Sequence, residues 1–174
     1  MIPGIVVLEP RVFSDDRGFF FESWNRRDFA AATGADVEFV QDNHSRSRRG
    51  VLRGLHYQVK QPQGKLVRCI AGEVFDVAVD LRRGSPTFGR SAGVRLSAEN
   101  RKMIWIPPGF AHGFYALADA EVLYKATAFH APEHERTLLW SDPALGIEWP
   151  LDGAPLLAPR DARGTPLAQA EAFP

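Results

Sequence analysis

Cysteine occurs once in the 174 residues, at Cys69, so no disulfide can form within the chain. Neither charge is in excess: 21 lysines and arginines meet 21 aspartates and glutamates. A balanced chain has no broad field to draw it to nucleic acid, and no basic helix marks a membrane surface. No run approaches the roughly 20 apolar residues of a membrane span. Met1-Ile2-Pro3-Gly4-Ile5 has neither the basic segment nor the apolar run of a signal peptide. Linkers, low-complexity tracts and internal repeats are also missing. These absences leave a cytoplasmic globular protein, a single domain over residues 1–174, whose 45% hydrophobic content can fill a core.

What is there is mostly strand. Short β-favouring runs are punctuated by glycine and proline: Ile5–Leu8, Gly18–Trp24, Val37–Gln41, Val51–Gln58, Leu66–Ile70, Val74–Leu81, Gly93–Leu96, Met103–Ile106, Phe114–Leu117, Glu121–Ala126 and Thr137–Trp140. The run Val74–Leu81 alternates cleanly, with Phe75, Val77, Val79 and Leu81 on one face and Asp76 and Asp80 on the other. One short helix is expected near residues 25–33, with Asn25 as its cap, Asp28 in its first turn and Gly34 at its end. A loose helical turn is expected near Leu167–Ala170. Many short, evenly spaced strands predict a mostly β antiparallel sandwich or barrel.

Chemistry concentrates first in Val51-Leu52-Arg53-Gly54-Leu55-His56-Tyr57-Gln58, which sets an arginine and a histidine in an otherwise buried strand. Polar groups among valine, leucine and tyrosine need partners or a function. Histidine titrates near neutral pH and serves as a proton carrier or a metal ligand. Pro108-Gly109-Phe110-Ala111-His112 has the P-G-x-x-H form of a turn that aims a histidine into a cupin barrel mouth. A metal-binding cupin also needs a His-x-His pair, whereas His56 is followed by Tyr57 and Gln58. No metal is therefore expected. As a general base, His56 needs a group to orient its ring; Asp161 is a candidate, though spacing alone does not separate it from the other acids. Arg53 and His56 fall on opposite faces of a regular strand, and a bulge at Gly54 would bring them to one.

A set of blocks occurs together and in order. They are Asp16–Glu22, Gln41–Ser45, Gly50–Gln58, Gln63–Arg68, Gly84–Gly89, Ile106–Phe114 and Leu123–Lys125. Over about residues 5–162 the chain resembles the dTDP-4-dehydrorhamnose 3,5-epimerases, metal-independent enzymes of cupin type. That resemblance implies a double-stranded β-helix (jelly-roll) barrel, no cofactor, a dTDP-sugar substrate and a homodimer with strands exchanged or paired between subunits. It also implies inversion of carbons 3 and 5 of dTDP-4-dehydro-6-deoxy-D-glucose. In these terms His56 is the base, Asp161 its partner, Lys65 the cation beside the developing enolate and Tyr124 the acid on the opposite face. Arg17, Glu22, Gln41, Asn43, Arg53, His112, Glu135 and Arg160 match substrate-binding positions.

One residue departs from the pattern. His130 stands where many members that act on both carbons carry tyrosine, which makes it a candidate determinant of how many carbons are inverted. Alternatives are a mono-epimerase or ketoisomerase on the same sugar nucleotides, a metal-dependent cupin oxygenase and a non-catalytic sugar-nucleotide binder.

Overall fold

The structure, a computed structural model, describes residues 2–174. Its strands are β1 (Val6–Leu8), β2 (Phe13–Asp15), β3 (Gly18–Phe20), β4 (Gln41–Ser47), β5 (Val51–Gln58), β6 (Lys65–Ala71), β7 (Glu73–Asp80), β8 (Ser91–Ser97), β9 (Met103–Ile106), β10 (Phe110–Ala116), β11 (Ala120–Ala126), β12 (Glu135–Thr137) and β13 (Leu156–Leu157). The only α-helix among the described residues, α1, is Arg26–Thr33. Asn25 caps it by accepting the Arg27 and Asp28 N–H groups, and Gly34 closes it in the left-handed conformation. No helix among the described residues is long and apolar enough to cross a membrane.

Two sheets face each other. One runs β1-β9-β6-β11-β4; the other runs β12-β5-β10-β7-β8, with β13 added beside β5. Every pairing in them is antiparallel except that of β13. Between the sheets lies a core drawn from both: Val67, Ile104, Ile106 and Val122 from the first, Val74, Ala78, Leu96, Phe110 and Phe114 from the second. Burying such a side chain contributes roughly 1.5–3 kcal/mol. This is the expected cupin-like barrel.

The outer faces are covered differently. Leu55, Tyr57, Val77 and Val79 pack outward under a carboxyl-terminal strap containing Leu145, Trp149, Leu167, Ala170 and Phe173. Leu66, Met103 and Trp105 pack outward against Phe29 of α1 and against Val37 and Phe39. The alternation of β7 thus has its apolar face outside the barrel, under the strap. Asp76 and Asp80 on the other face are both fully buried. A polar-looking strand face here points inward.

Several sequence expectations shift: of Gly18–Trp24 only Gly18–Phe20 is strand, and in place of Thr137–Trp140 the strand is β12, Glu135–Thr137. Val37–Val40 lies outside the strands: Val37 and Phe39 pack beneath α1, and the Val40 N–H donates to the Ala126 carbonyl just before the paired run that begins at Gln41. The helical turn near the carboxyl end is a 3-10 turn over Leu167–Gln169.

Candidate active site

The site begins with an irregularity in β5. His56 pairs with His112 of β10, yet Phe114, two residues on, pairs with Arg53, three residues back. The extra residue in β5 is a bulge, and it reverses the side-chain alternation on one side of it. Without it Arg53 would share the outer face of Leu55 and Tyr57. With it Arg53 lies opposite Phe114 of the inner core, on the same face as His56. Gly54 makes this possible: its φ is +126°, and a Cβ there would sit 2.6 Å from the Gly113 Cα. The facing Gly113 is equally tight, since its Cβ would lie 2.5 Å from the Arg53 carbonyl oxygen. Two facing glycines let the strands close over the bulge.

Inward-facing side chains at one end of the barrel surround a cavity of about 280 Å³. His56 and Gln58 come from β5, Glu135 from β12, Lys65 from β6, Tyr124 from β11, and Gln41 and Asn43 from β4. Gln63, His130 and Arg160 line it from loops. His56 and Tyr124 therefore reach it from opposed sheets. A larger cavity of about 490 Å³ lies between the β2–β3 hairpin and α1, lined largely by apolar side chains including Phe13, Phe20, Trp24 and Phe29. It offers carboxylates but no histidine, lysine or tyrosine, so the smaller cavity is where proton chemistry is equipped.

The ring of His56 is held by Asp161, with Nε2 2.6 Å from Oδ1. Asp161 is 2% exposed and sits in a 3-10 turn of the strap, 105 residues along the chain from its partner. An ionised carboxylate only accepts hydrogen bonds, so this contact places the imidazole proton on Nε2 and leaves the lone pair on Nδ1. That is the arrangement of a base with its orienting partner. A second buried pair lies beside it: His112 Nε2 is 3.0 and 2.9 Å from the two oxygens of Asp76.

Lys65 is buried in the opposite wall, and desolvation pushes its pKa down to about 8, with Glu135 and Asp76 pulling the other way. Its ammonium is 5.9 Å from the centroid of the Tyr124 ring. Burial, and then the charge of Glu135, push the Tyr124 phenol up, opposed by Arg160 and Arg53. The cavity thus holds a cation eased toward losing its proton and a phenol that keeps its own.

Around the rim the polar groups are linked. Arg160 Nη1 donates to Glu135 at 2.8 Å, and Arg160 Nε lies 3.7 Å from Asp161. His130 Nε2 is 3.7 Å from Glu135, and the His130 N–H donates to the Gln41 side chain at 3.0 Å. Gln41 in turn donates to Asn43.

The remaining candidates lie elsewhere. Arg53 reaches across to β4, donating to Ser47 Oγ and to the Arg46 carbonyl oxygen, both at 2.9 Å. Arg17 is on the β2–β3 hairpin, paired with Asp15, its side chain 90% exposed. Glu22 accepts from Asn25 beside α1. Within one chain neither Arg17 nor Glu22 lines the cavity of His56. Gln58 and Gln63 line it without having been singled out from the sequence. Period-two alternation from His56 signals Gln58; nothing local signals Gln63. No group of three or more His, Cys, Asp or Glu side chains among the described residues is placed to hold a metal ion.

Comparison with known proteins places the chain in one family. The family model described as dTDP-4-dehydrorhamnose 3,5-epimerase matches residues 1–169. A protein of that name from Pseudomonas aeruginosa is 66% identical over 174 residues, covering 99% of this chain and 96% of its own length. Another from Shigella flexneri is 56% identical with the same coverage. The crystal structure of dTDP-6-deoxy-D-glucose-3,5-epimerase from Legionella pneumophila, in complex with dTDP-4-keto-L-rhamnose, superposes with a TM-score of 0.95 at 51% identity, covering 98% of this chain and 91% of that one. The family model matched over residues 1–169, the identities of 56–66% to full-length relatives and the shared barrel make this chain a member of the dTDP-4-dehydrorhamnose 3,5-epimerase family.

Proposed function

We propose that this protein is an isomerase that inverts carbons 3 and 5 of dTDP-4-dehydro-6-deoxy-D-glucose, giving dTDP-4-dehydro-L-rhamnose. The observation that carries the reading is the placement of His56 and Tyr124 on opposed sheets of one cavity. Inverting a carbon requires removing a proton from one face and returning one to the other; a single carrier would only exchange the hydrogen. The ketone at carbon 4 acidifies the hydrogens on both neighbouring carbons. His56 Nδ1 takes the proton, and Asp161 stabilises the imidazolium. Negative charge moves onto the ketone oxygen, where the Lys65 ammonium stabilises it in a desolvated setting. Tyr124, neutral at pH 7, protonates the carbon from the opposite wall. Solvent then restores both carriers, and no step calls for a cofactor.

Gln41, Asn43, Glu135, Arg160 and His130 surround the substrate in this reading, and Arg53, outside that lining and bonded to Ser47 and Arg46, supplies a planar guanidinium toward the phosphates. His112, clamped by Asp76, stands next to the base. The hairpin with Phe13, Phe19, Phe20 and Arg17 exposed supports a homodimer in which Arg17 and Glu22 reach the partner's cavity at the nucleotide end. A nucleotide-sugar substrate fits a cytoplasmic enzyme.

Incubation with the 4-keto sugar nucleotide in deuterium oxide, followed by proton NMR, tests the chemistry. Two deuterium atoms in the product, at carbons 3 and 5, with both centres inverted, are expected. Deuterium at one carbon only would replace this reading with a mono-epimerase. Sizing by light scattering tests the dimer. Mixing Arg17→Ala with His56→Ala protein should then restore activity, because one site of each mixed dimer keeps both residues.

A further inference from the structure

Gln58 ends β5 two residues beyond His56 and is a polar side chain only 3% exposed. A buried amide has two N–H donors and a carbonyl acceptor to satisfy. Here all three are engaged. Nε2 donates to the Gln61 carbonyl at 2.8 Å and to the Phe129 carbonyl at 3.2 Å, while Oε1 accepts the Ala131 N–H at 2.9 Å. Facing two carbonyls and one N–H, the amide has only one orientation that satisfies every partner.

These partners belong to two loops. The first, 59–64, contains Gln61 at a left-handed φ of +52° and leads directly into Lys65. The second, 127–131, carries His130. Two further contacts stitch them together: Gln63 donates to the Ala128 carbonyl, and Gly64 and Thr127 exchange hydrogen bonds. Among the described residues, Gln58 is the one β5 side chain that hydrogen-bonds to both loops.

We infer that Gln58 is a positioning residue that fixes the His130 and Lys65 walls of the cavity relative to His56, and so keeps the sugar in place between two successive proton removals. The inference rests on the epimerase reading. One base serving both carbons must meet two different C–H bonds, so the ring has to be re-presented without escaping. A wall free to open would release sugar after the first inversion.

The test is the ratio of singly to doubly inverted product at early conversion, read by proton NMR in deuterium oxide. Gln58→Met leaves two carbonyls and one N–H unpartnered and should raise the singly inverted fraction at least fivefold over wild type. Gln58→Glu keeps the shape and at most one donor, and should give a smaller rise. It also serves if the methionine variant does not fold. A purely structural role lowers the amount of active protein, scaling both products equally, so a wild-type ratio in the folded variants overturns the inference. Wild-type protein that inverts neither carbon overturns the epimerase reading itself, and this one with it.

Discussion

Replacing Asp161 with asparagine tests the proton-transfer assignment most directly. The carboxylate is 2% exposed and its oxygen lies 2.6 Å from His56 Nε2, so water screens the contact little. Asparagine keeps the volume and an acceptor oxygen for the Nε2 proton but removes the charge that the imidazolium needs. A hydrogen bond to a charged group contributes about 1.5–3 kcal/mol net. Losing that in the transition state alone lowers kcat by about 10- to 150-fold. Burial of Asp161 places the expected loss in the upper half of that range. Arg160, 3.7 Å from Asp161, keeps its bond to Glu135, so the rim should survive. The expected result is therefore a low kcat with the KM for the sugar nucleotide within about threefold of wild type. A variant with wild-type kcat would refute the role of the pair. So would one in which only KM rises, because the carboxylate would then be contributing to binding alone.

Lys65→Met should abolish turnover while raising Tm. Burial pushes the lysine pKa from 10.5 to about 8, which makes the charged form unfavourable in the fold, by about 3 kcal/mol at pH 7. The same sign predicts that the Lys65 contribution to stability rises between pH 8 and 10.5, where the unfolded chain still holds the proton. The wild-type kcat should fall as pH rises through about 8 and the ammonium is lost; a flat profile to pH 9.5 would sink the enolate-stabilising role. Tyr124→Phe should cut kcat for inversion by about 10²–10⁴-fold. Hydrogen exchange with solvent at the base side should continue, seen as deuterium in uninverted substrate. Gly54→Ala sets a Cβ 2.6 Å from the Gly113 Cα at a φ of +126° and should destabilise by at least about 3 kcal/mol, measured by denaturant titration.

Much of this was legible in the chain because local rules agreed with the fold. Asn25, Asp28 and Gly34 delimited α1 by capping chemistry, and Gly54 foretold the bulge that joins Arg53 to the His56 face. Alternation in β7 identified two faces but not which lay inside. The apolar face packs under a strap whose position depends on residues 145–173, a tertiary fact with no local mark. The same distance hid the His56–Asp161 contact from spacing, and only the ordered family pattern brought the two together. Val37–Val40 read as a strand because β-favouring residues also suit an extended segment packed beneath a helix. Alternation from His56 points Gln58 to the cavity face, but its role was hidden: its partners are backbone groups of two loops, which leave no side-chain signature.

The late position of Asp161 has a consequence for how the protein comes into being. The strands of both sheets, save the short β13, precede residue 138, whereas the partner of the base arrives with the strap that closes the outer face. A chain growing on the ribosome therefore carries His56, Lys65 and Tyr124 before it carries Asp161. Proton-transfer competence is gained only when the final segment is made and docks. A chain stopped before residue 161 would carry the base without its partner and would lack that competence.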